Sequence, residues 1–219
     1  MKTIVFLGDS VTEGCFGLYP TDYGFDTYRS PEDGYVKKAE KILCAKYGAE
    51  NIKIINSGVS GDSTAKAALR VENDVYAHQP DIVVVATGLN DIFKPIGSTR
   101  ENYDVLISSV KKCGAKIIVM TPNMMNTYVH PETVPCAMKV AATTAERQND
   151  GTLDKIVEVE RETAKKYGAS VCDVYLYWKK LYSQGRDVTV MLENLINHPS
   201  KKMHDVAAEM IAESIEKLI

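Results

Sequence analysis

The stretch TIVFLGDS, residues 3–10, is the strongest indication of the fold class, because an uninterrupted apolar run passes directly into a short polar turn. Continuous hydrophobicity, as opposed to alternation, is typical of a strand that is covered on both faces in a parallel sheet. Four later segments resemble this apolar run; they are residues 52–55, 82–85, 117–120 and, more weakly, 170–172. The sequence therefore predicts five buried strands.

Amphipathic helical patterns, with apolar residues at three- and four-residue spacing, separate these strands. They cover residues 35–47, 103–113, 153–167 and 206–218. Three of them end in a glycine that fits a left-handed helix end, with the next strand directly after it; these glycines are Gly48, Gly114 and Gly168. The alternation predicts a single α/β domain, residues 1–219, with an open parallel sheet and helices on both faces.

Two segments, residues 11–33 and 122–151, are too long and irregular to be simple connections. Long insertions in a compact domain are often lids or specificity loops, and surface decoration is the alternative. Four of the aromatic residues of the first insertion either line a site for an acyl or sugar group or fill space beneath the loop; they are Tyr19, Tyr23, Phe25 and Tyr28.

The composition argues against several classes of function. The chain has 219 residues, of which 45% are hydrophobic and 25% charged, and its net charge is −3. Its basic residues form no stripe that would attract nucleic acid. No apolar run approaches the roughly 20 residues that cross a bilayer, and the N-terminus lacks a signal-peptide pattern, so no membrane association is expected. Five widely spaced cysteines without a Cys-x-x-Cys pair indicate reduced thiols and a cytoplasmic protein.

Several motifs for nucleotides, metals and other hydrolases are absent. The chain has neither Gly-x-x-x-x-Gly-Lys nor Gly-x-Gly-x-x-Gly, and no His-Glu-x-x-His or other metal spacing. It also lacks the Gly-x-Ser-x-Gly turn of the α/β-hydrolases. The sequence therefore predicts no cofactor and no bound metal.

Polar residues follow three of the strands and precede the last helix, so the carboxyl edge of a parallel sheet would gather them. Ser10 follows the first strand and Gly61 lies in a turn after the second. Asn90 follows the third, and His198 precedes the C-terminal helix. A serine hydroxyl becomes a nucleophile when a neutral imidazole removes its proton. Because glycine-turn N–H groups and an asparagine amide can stabilise an oxyanion, these residues predict a site for acyl transfer.

A second Gly-Asp-Ser, residues 61–63, makes Ser63 a rival for the role of nucleophile. Ser63 is more simply explained as the N-cap of a helix that begins near Ala65. The ordered placement of four polar elements along the predicted sheet edge favours Ser10.

This ordered pattern resembles the SGNH subgroup of the GDSL esterase and lipase family, from Phe6 to the last helix. The resemblance implies a three-layer α/β/α sandwich with a flavodoxin-like five-stranded parallel sheet. It also implies that Ser10 is the nucleophile, within Gly-Asp-Ser, and that Gly61 and Asn90 stabilise the oxyanion, Asn90 within Gly-x-Asn-Asp. The aspartates of the same two blocks, Asp9 and Asp91, are expected to contact the substrate.

The fourth block departs from that family, which usually has Asp-x-x-His with the aspartate orienting the base. Three residues before His198 the chain has Leu195, while its Asn-His-Pro-Ser resembles an Asn-His-Pro form found in some members. His198 is preferred as the base over His204, which is expected to pack on the last helix. A backbone carbonyl, Glu193 or Asn194 could orient the imidazole, or the site could work as a Ser-His dyad.

Three functions are compatible with these residues. The first is a serine esterase that cleaves a small-molecule carboxylic ester, such as an acetylated carbohydrate or a short-chain acyl ester, through an acyl-enzyme on Ser10. The second is a binding protein for an acyl ligand or carbohydrate, weakly active or inactive because loss of the orienting acid can lower kcat by about 10⁴-fold. The third is an acyltransferase, in which an alcohol replaces water as the acceptor.

Overall fold

The structure, a computed structural model, describes residues 1–219 and contains a five-stranded parallel sheet and a separate two-stranded antiparallel hairpin. The strands in chain order are β1 (Lys2–Gly8), β2 (Cys15–Thr21), β3 (Gly24–Arg29), β4 (Ile52–Gly58), β5 (Ile82–Ala86), β6 (Lys116–Met120) and β7 (Ser170–Cys172). The parallel sheet has the order β4-β1-β5-β6-β7, and β2 pairs with β3 in the hairpin. This is the flavodoxin-like order, so the predicted fold class is confirmed.

Nine α-helices connect and cover the strands. They are α1 (Ser10–Glu13), α2 (Tyr35–Tyr47), α3 (Thr64–Leu69), α4 (Val71–Asp74), α5 (Ile96–Lys111), α6 (Met138–Asn149), α7 (Thr152–Tyr167), α8 (Val174–Ser183) and α9 (Lys201–Glu216). None of them is both long enough and apolar enough to cross a lipid bilayer. The amphipathic patterns predicted four of these helices: the bounds of α2 agree with the prediction, those of α5, α7 and α9 are shifted, and α5 begins seven residues before its predicted start.

Two apolar clusters, one on each face of the sheet, form most of the core. Ile4 and Phe6 of β1 belong to the larger cluster, which includes residues of α2 and α9. Val5 and Leu7 of the same strand belong to the smaller cluster, with residues of α3 and α5. Because successive side chains of a strand point to opposite faces, the unbroken apolar run of β1 supplies both clusters. The three-layer arrangement follows from this double burial.

The two insertions fold into ordered elements beside the carboxyl edge of the sheet. Residues 11–33 contain α1 and the β2–β3 hairpin, and residues 122–151 contain a loop followed by α6. Helix α8 follows β7 directly and was not predicted, because its tyrosines and tryptophan have only modest helix propensity. Its first turn is capped by Asp173, whose carboxylate accepts a hydrogen bond from the Leu176 N–H.

Candidate active site

The end of β1 places Ser10 at the first position of α1, and Asp9 is the N-cap of that helix. Strands β1 and β4 run in parallel register up to the pair Gly8 and Gly58. The turns that follow the two strands therefore begin side by side, and they carry Ser10 and Gly61.

The structure places the Ser10 hydroxyl against the imidazole of His198. The Ser10 Oγ lies 3.0 Å from His198 Nε2, and both side chains are almost fully buried, with 5% of each residue exposed. The two residues are 188 positions apart in the chain, so only the tertiary fold brings them together. A hydroxyl and an imidazole at this distance form the nucleophile and base pair that acyl transfer needs.

The other imidazole nitrogen of His198 bonds to the backbone of the hairpin. His198 Nδ1 lies 2.9 Å from the carbonyl oxygen of Phe16, in β2. A carbonyl oxygen can only accept, so Nδ1 carries the proton and Nε2 has the free lone pair that faces Ser10. Of the alternatives that the sequence left open, a backbone carbonyl occupies the position of the orienting acid.

An irregularity in the hairpin occurs where this carbonyl is needed. The pairing of β2 with β3 shifts register between Cys15 and Leu18, so Phe16 lies outside the regular ladder. A bulge of this kind leaves a backbone group unpaired and redirects the chain. The Phe16 carbonyl is thereby available to His198. The sequence does not point to Phe16, because a main-chain oxygen has no signature in the residue type.

The loop before His198 is shaped by Asn194. Its side-chain oxygen Oδ1 accepts hydrogen bonds from the backbone N–H groups of Ile196, Asn197 and His198, at 2.9–3.0 Å. Asn194 therefore holds the backbone of His198, while its side chain makes no bond to the imidazole. Leu195 adopts a left-handed conformation, with φ of 59°.

Glu193, the other acidic candidate, lies on the surface. Its residue is exposed, and its link to His198 is a bond from its own backbone N–H to the His198 carbonyl oxygen, at 2.7 Å. The Glu193 carboxylate is therefore not placed to orient the imidazole.

His204 is fully buried under the hairpin and makes no bond to Ser10. Its Nδ1 accepts a hydrogen bond from the Tyr35 N–H at 3.0 Å, and its ring lies 4.7 Å from that of Phe16. Its Nε2 has no hydrogen-bond partner. Burial lowers the pKa of His204 to about 3, so the side chain is neutral. From α9, its ring packs against the rings of Phe16 and Tyr35.

The turn after β4 carries the candidate oxyanion donors. Gly61 has φ of 75°, a left-handed conformation that favours glycine, and its N–H donates to no group of the protein. A Cβ on Gly58 would lie 2.2 Å from the Glu13 backbone nitrogen, so glycine is needed for the close approach of the turn to α1. The Glu13 carboxylate accepts the Ser60 N–H at 2.7 Å and so fixes the turn beside Ser10.

Asn90 faces the same turn from the loop after β5. Its side-chain amide donates to the Asp62 carbonyl oxygen at 2.8 Å. An amide nitrogen has two hydrogens, so this bond orients the group and leaves a second donor for a ligand. Gly61 and Asn90 are thus held against each other through the short turn that ends at Asp62.

A cleft of about 180 Å³ joins these elements. Ser10, Gly61, Asn90 and His198 all line it. Its apolar walls come from the hairpin, the loop after β5, helix α6 and the His198 loop; they include Leu18, Phe25, Ile92, Phe93, Val140 and Ile196. Both insertions therefore contribute to the cleft.

The four hairpin aromatic residues named from the sequence take different positions. Phe25 lines the cleft, whereas Tyr23 is fully exposed at the hairpin tip. The rings of Tyr19 and Tyr28 pack against each other with centroids 4.7 Å apart. Phe25 therefore lines a site, as one of the two sequence interpretations proposed. Tyr23 fits neither interpretation, because it lies outside the cleft and fills no space beneath a loop.

The structure does not bring Asp9 and Asp91 into the cleft. Asp9 lines a separate internal cavity of about 30 Å³, and burial, together with the nearby charges of Asp91 and Asp62, raises its pKa to about 7. Asp91 is fully buried, and its Oδ2 accepts from both the N–H and the hydroxyl of Thr64, each at 3.0 Å. The bonds of Asp91 hold α3 in place, and the Asp9 carboxylate caps α1 by accepting the Val11 N–H at 3.0 Å, so the geometry gives both carboxyls a supporting position.

Ser63 stands at the N-cap position of α3, as predicted, but its hydroxyl makes no capping bond. The capping acceptor is the Asp91 carboxylate, which binds the first-turn N–H of Thr64. Ser63 does not line the cleft, so the rival Gly-Asp-Ser is placed away from His198.

The electrostatic environment of His198 is set by burial. Desolvation lowers the pKa of the imidazole to about 4, partly opposed by the bond to the Phe16 carbonyl. No carboxylate bonds to the ring. His198 is therefore a neutral base over the whole physiological pH range, and its cationic form lacks the stabilisation that an aspartate would supply.

Comparison with known sequences identifies the family. A profile of the GDSL-like lipase/acylhydrolase family matches residues 6–206. The chain belongs to this family. Among curated relatives of this GDSL-like protein, an acetylxylan esterase of Geobacillus stearothermophilus is 33% identical over 133 residues, 55% of this chain and 59% of that protein. An arylesterase of Vibrio mimicus is 30% identical over 73 residues, 32% of this chain and 36% of that one.

The matched stretches cover only 36–59% of the curated relatives' own lengths, whereas solved structures match almost throughout. A lipase/acylhydrolase from Enterococcus faecalis superposes with a TM-score of 0.72 at 23% identity, covering 99% of this GDSL-like chain and 96% of the other. An acetylxylan esterase from Geobacillus stearothermophilus does so with a TM-score of 0.72 at 20% identity, covering 98% and 94%. At these identities the likeness establishes the shared fold.

Proposed function

We propose that this protein is a serine esterase that cleaves carboxylic esters through an acyl-enzyme on Ser10. The observation that carries the proposal is the 3.0 Å contact between Ser10 Oγ and His198 Nε2, in a cleft that Gly61 and Asn90 also line. Membership of the GDSL-like lipase/acylhydrolase family supports it.

The first half of the reaction acylates Ser10. Its oxygen attacks the carbonyl carbon of the ester while His198 Nε2 takes the hydroxyl proton. The oxygen of the tetrahedral intermediate receives hydrogen bonds from the Gly61 N–H and the second Asn90 amide hydrogen, with the Ser10 N–H as a third donor. The carbon–oxygen bond to the alcohol then breaks, and His198 returns its proton to the departing alcohol.

Water completes the cycle at the acyl-enzyme. His198 Nε2, neutral again, removes a proton from the water as its oxygen attacks the acyl carbon. Collapse of the second tetrahedral intermediate breaks the bond to Ser10 Oγ, which regains the proton from His198. Through both steps Nδ1 remains bonded to the Phe16 carbonyl, which keeps the ring in the productive tautomer.

The substrate we propose is a short-chain acyl ester, such as an acetylated carbohydrate. A cleft of about 180 Å³ is smaller than the roughly 300–1,000 Å³ that drug-sized ligands occupy, which favours a small acyl group. The exposed ring of Phe25 on the hairpin offers an apolar surface for the alcohol half of the ester. The acetylxylan esterase relative is consistent with this class.

A series of 4-nitrophenyl esters tests the proposal. We expect the protein to hydrolyse 4-nitrophenyl acetate and 4-nitrophenyl butyrate, with free acetic acid as the product of the first. Because the cleft is small, kcat/KM for the octanoate ester should be at least about tenfold lower than for the acetate ester. Equal or faster hydrolysis of the octanoate would contradict the proposed acyl size. Failure to turn over any of the esters would contradict the esterase function itself and support a protein that only binds acyl ligands.

The pH dependence of kcat/KM is expected to extend far into the acidic range. His198 acts as a base only when neutral, and its pKa of about 4 lies below the ordinary value near 6.5. The rate should therefore stay near its plateau down to about pH 5 and fall as the pH approaches 4. The rate of acetate release, measured directly between pH 3.5 and 8, gives the profile. Recovery of activity after return to neutral pH distinguishes protonation of His198 from unfolding. A midpoint near pH 6.5 would show that the low pKa is wrong.

A further inference from the structure

The side chain of Arg70, between α3 and α4, binds several backbone and side-chain groups at the carboxyl edge of the sheet. Its Nη2 donates to the Gly8 carbonyl oxygen at 2.9 Å and its Nη1 to the Ser57 carbonyl oxygen at 2.8 Å. Its Nε donates to the Asp62 carboxylate at 2.6 Å, and Nη1 also pairs with Asp74. Only 17% of the Arg70 side chain is exposed, so these bonds are largely shielded from water.

Two of these bonds join the ends of neighbouring strands. Gly8 ends β1, two residues before Ser10, and Ser57 lies at the end of β4, before the turn that carries Gly61. The register of β1 and β4 ends at Gly8 and Gly58, beyond which the strands no longer form a ladder. A planar guanidinium that donates to both ends fixes their separation. A backbone bond from the Val59 N–H to the Gly8 carbonyl oxygen, at 3.0 Å, also joins the two turns. The Arg70 clamp adds to this bond in setting the distance from the nucleophile to the glycine turn.

The third bond reaches the other oxyanion donor. The Asp62 carboxylate, of which 7% is exposed, accepts from Arg70, while the Asp62 backbone carbonyl accepts the Asn90 amide at 2.8 Å. A chain of two hydrogen bonds thus connects the guanidinium to the amide group that faces the cleft. Moving Asp62 would move the acceptor that orients Asn90.

We infer that Arg70 is a positioning residue that sets the geometry of the oxyanion site relative to Ser10. Arg70 does not line the cleft and acts only through Gly8, Ser57 and Asp62. The catalytic part of the inference rests on the proposed ester hydrolysis. Because a misplacement of about 1 Å can lower a rate by about 10²-fold, loss of the clamp affects kcat more than substrate binding.

Two substitutions of Arg70 and a matched control test the inference. Arg70→Met removes all the bonds, and Arg70→Lys keeps the charge but cannot span both strand ends. Arg161→Met is the control, because Arg161 makes a comparable two-point pair with Asp173, at 2.9 and 3.1 Å, that joins α7 to α8. Arg161 has no bond to a residue of the cleft, so its loss measures the effect of removing a partly exposed arginine–aspartate pair alone.

At a temperature well below the melting temperature of every variant, we expect Arg70→Met to lower kcat by about 10- to 100-fold with KM little changed. Arg70→Lys should lie between Arg70→Met and the wild type, and Arg161→Met should stay within about threefold of the wild type. The inference is wrong if Arg70→Met and Arg161→Met have the same kcat. If Arg70→Met does not fold, the kcat of Arg70→Lys is compared with that of Arg161→Met instead.

A double-mutant cycle with Asn90→Ala shows whether Arg70 acts through the oxyanion site. Asn90→Ala alone should lower kcat by about 10²- to 10³-fold. If Arg70 positions that amide, Arg70→Met should cost clearly less in the Asn90→Ala background than in the wild type. Effects that multiply without coupling would show that Arg70 acts independently of Asn90.

A spectroscopic readout separates this inference from the proposed function. In a ¹⁵N-labelled protein, the Asn90 side-chain amide and the Gly61 N–H should shift in Arg70→Met and remain unchanged in Arg161→Met. Resonances that stay in place in both variants would overturn the inference even if the wild type hydrolyses no ester. Turnover by the wild type with equal rates in the two variants would overturn the inference and leave the esterase proposal standing.

Discussion

Replacement of Ser10 by alanine is expected to lower kcat for ester hydrolysis by about 10⁴- to 10⁶-fold, the range in which loss of a serine nucleophile falls. The substitution removes only the hydroxyl group, whose hydrogen bond in the structure is to the His198 side chain. The fold should therefore be unaffected. Residual hydrolysis would come from the oxyanion donors and substrate binding alone. Initial rates with 4-nitrophenyl acetate, together with the melting temperature, measure the effect.

Ser63→Ala is the matched control for this substitution. Ser63 occupies the same place in a second Gly-Asp-Ser, is 7% exposed, and does not line the cleft. Its loss should leave kcat within about threefold of the wild type. If Ser10→Ala retained most of the wild-type rate, or if Ser63→Ala lost it, the assignment of the nucleophile would be wrong.

Replacement of His198 by alanine is expected to be almost as damaging, with kcat within about tenfold of that of Ser10→Ala. A serine and its base act as a unit, so removing either one costs nearly as much as removing both. Without Nε2 at 3.0 Å, the Ser10 hydroxyl has no acceptor for its proton at neutral pH. The kcat of the Ser10→Ala, His198→Ala double variant should equal that of either single variant within about tenfold.

His204→Asn provides the comparison at the other buried histidine. An asparagine oxygen can replace Nδ1 as the acceptor for the Tyr35 N–H. We expect kcat to change by less than about tenfold, while the melting temperature falls because a buried ring that packs on Phe16 is lost. Equal losses of kcat at the two histidines would contradict the preference for His198 as the base.

In the proposed mechanism, the carbonyl at Nδ1 gives the hairpin a role in the chemistry. Phe16 lies in the segment between the first strand and the first long helix, so one insertion both forms a wall of the cleft and orients the base. A neutral carbonyl stabilises an imidazolium less than a carboxylate does. The base is consequently kept neutral at low pH, and a rate limited by proton transfer should be lower than with a buried aspartate.

Much of the fold could be predicted from the sequence because burial on both faces leaves a strong signal. Strands β1, β5 and β6 correspond to unbroken apolar runs, and the glycine after α7, Gly168, ends that helix in a left-handed conformation. The two edge strands are less buried than predicted, because each has a neighbour on one side only: β4 contains Lys53, and only Cys172 of β7 is buried. The hairpin was not predicted, because its strands mix polar and aromatic residues and only Cys15, Phe16 and Thr27 of them are buried. Aromatic residues in such a segment fit a loop or a strand equally well.

The shared position of Ser10, Gly61, Asn90 and His198 at one cleft could be predicted because each follows or precedes a recognisable element. Their supporting groups could not, since a backbone carbonyl is present in every residue and carries no pattern. Asn194 was proposed as a partner of the imidazole but binds the loop backbone. Arg70, in a helical segment, looks like any surface arginine until the fold brings it to the ends of β1 and β4.

Reaction with a fluorophosphonate, followed by mass spectrometry of peptides, tests the central claim most directly. An activated serine attacks the phosphorus and retains the phosphonyl group, so the label marks the nucleophile without depending on the natural substrate. We predict a single label on Ser10 in the wild type and in Ser63→Ala, and a much slower reaction in His198→Ala. A label on another residue, or an unlabelled Ser10 in a protein that still hydrolyses esters, would contradict the Ser10–His198 mechanism.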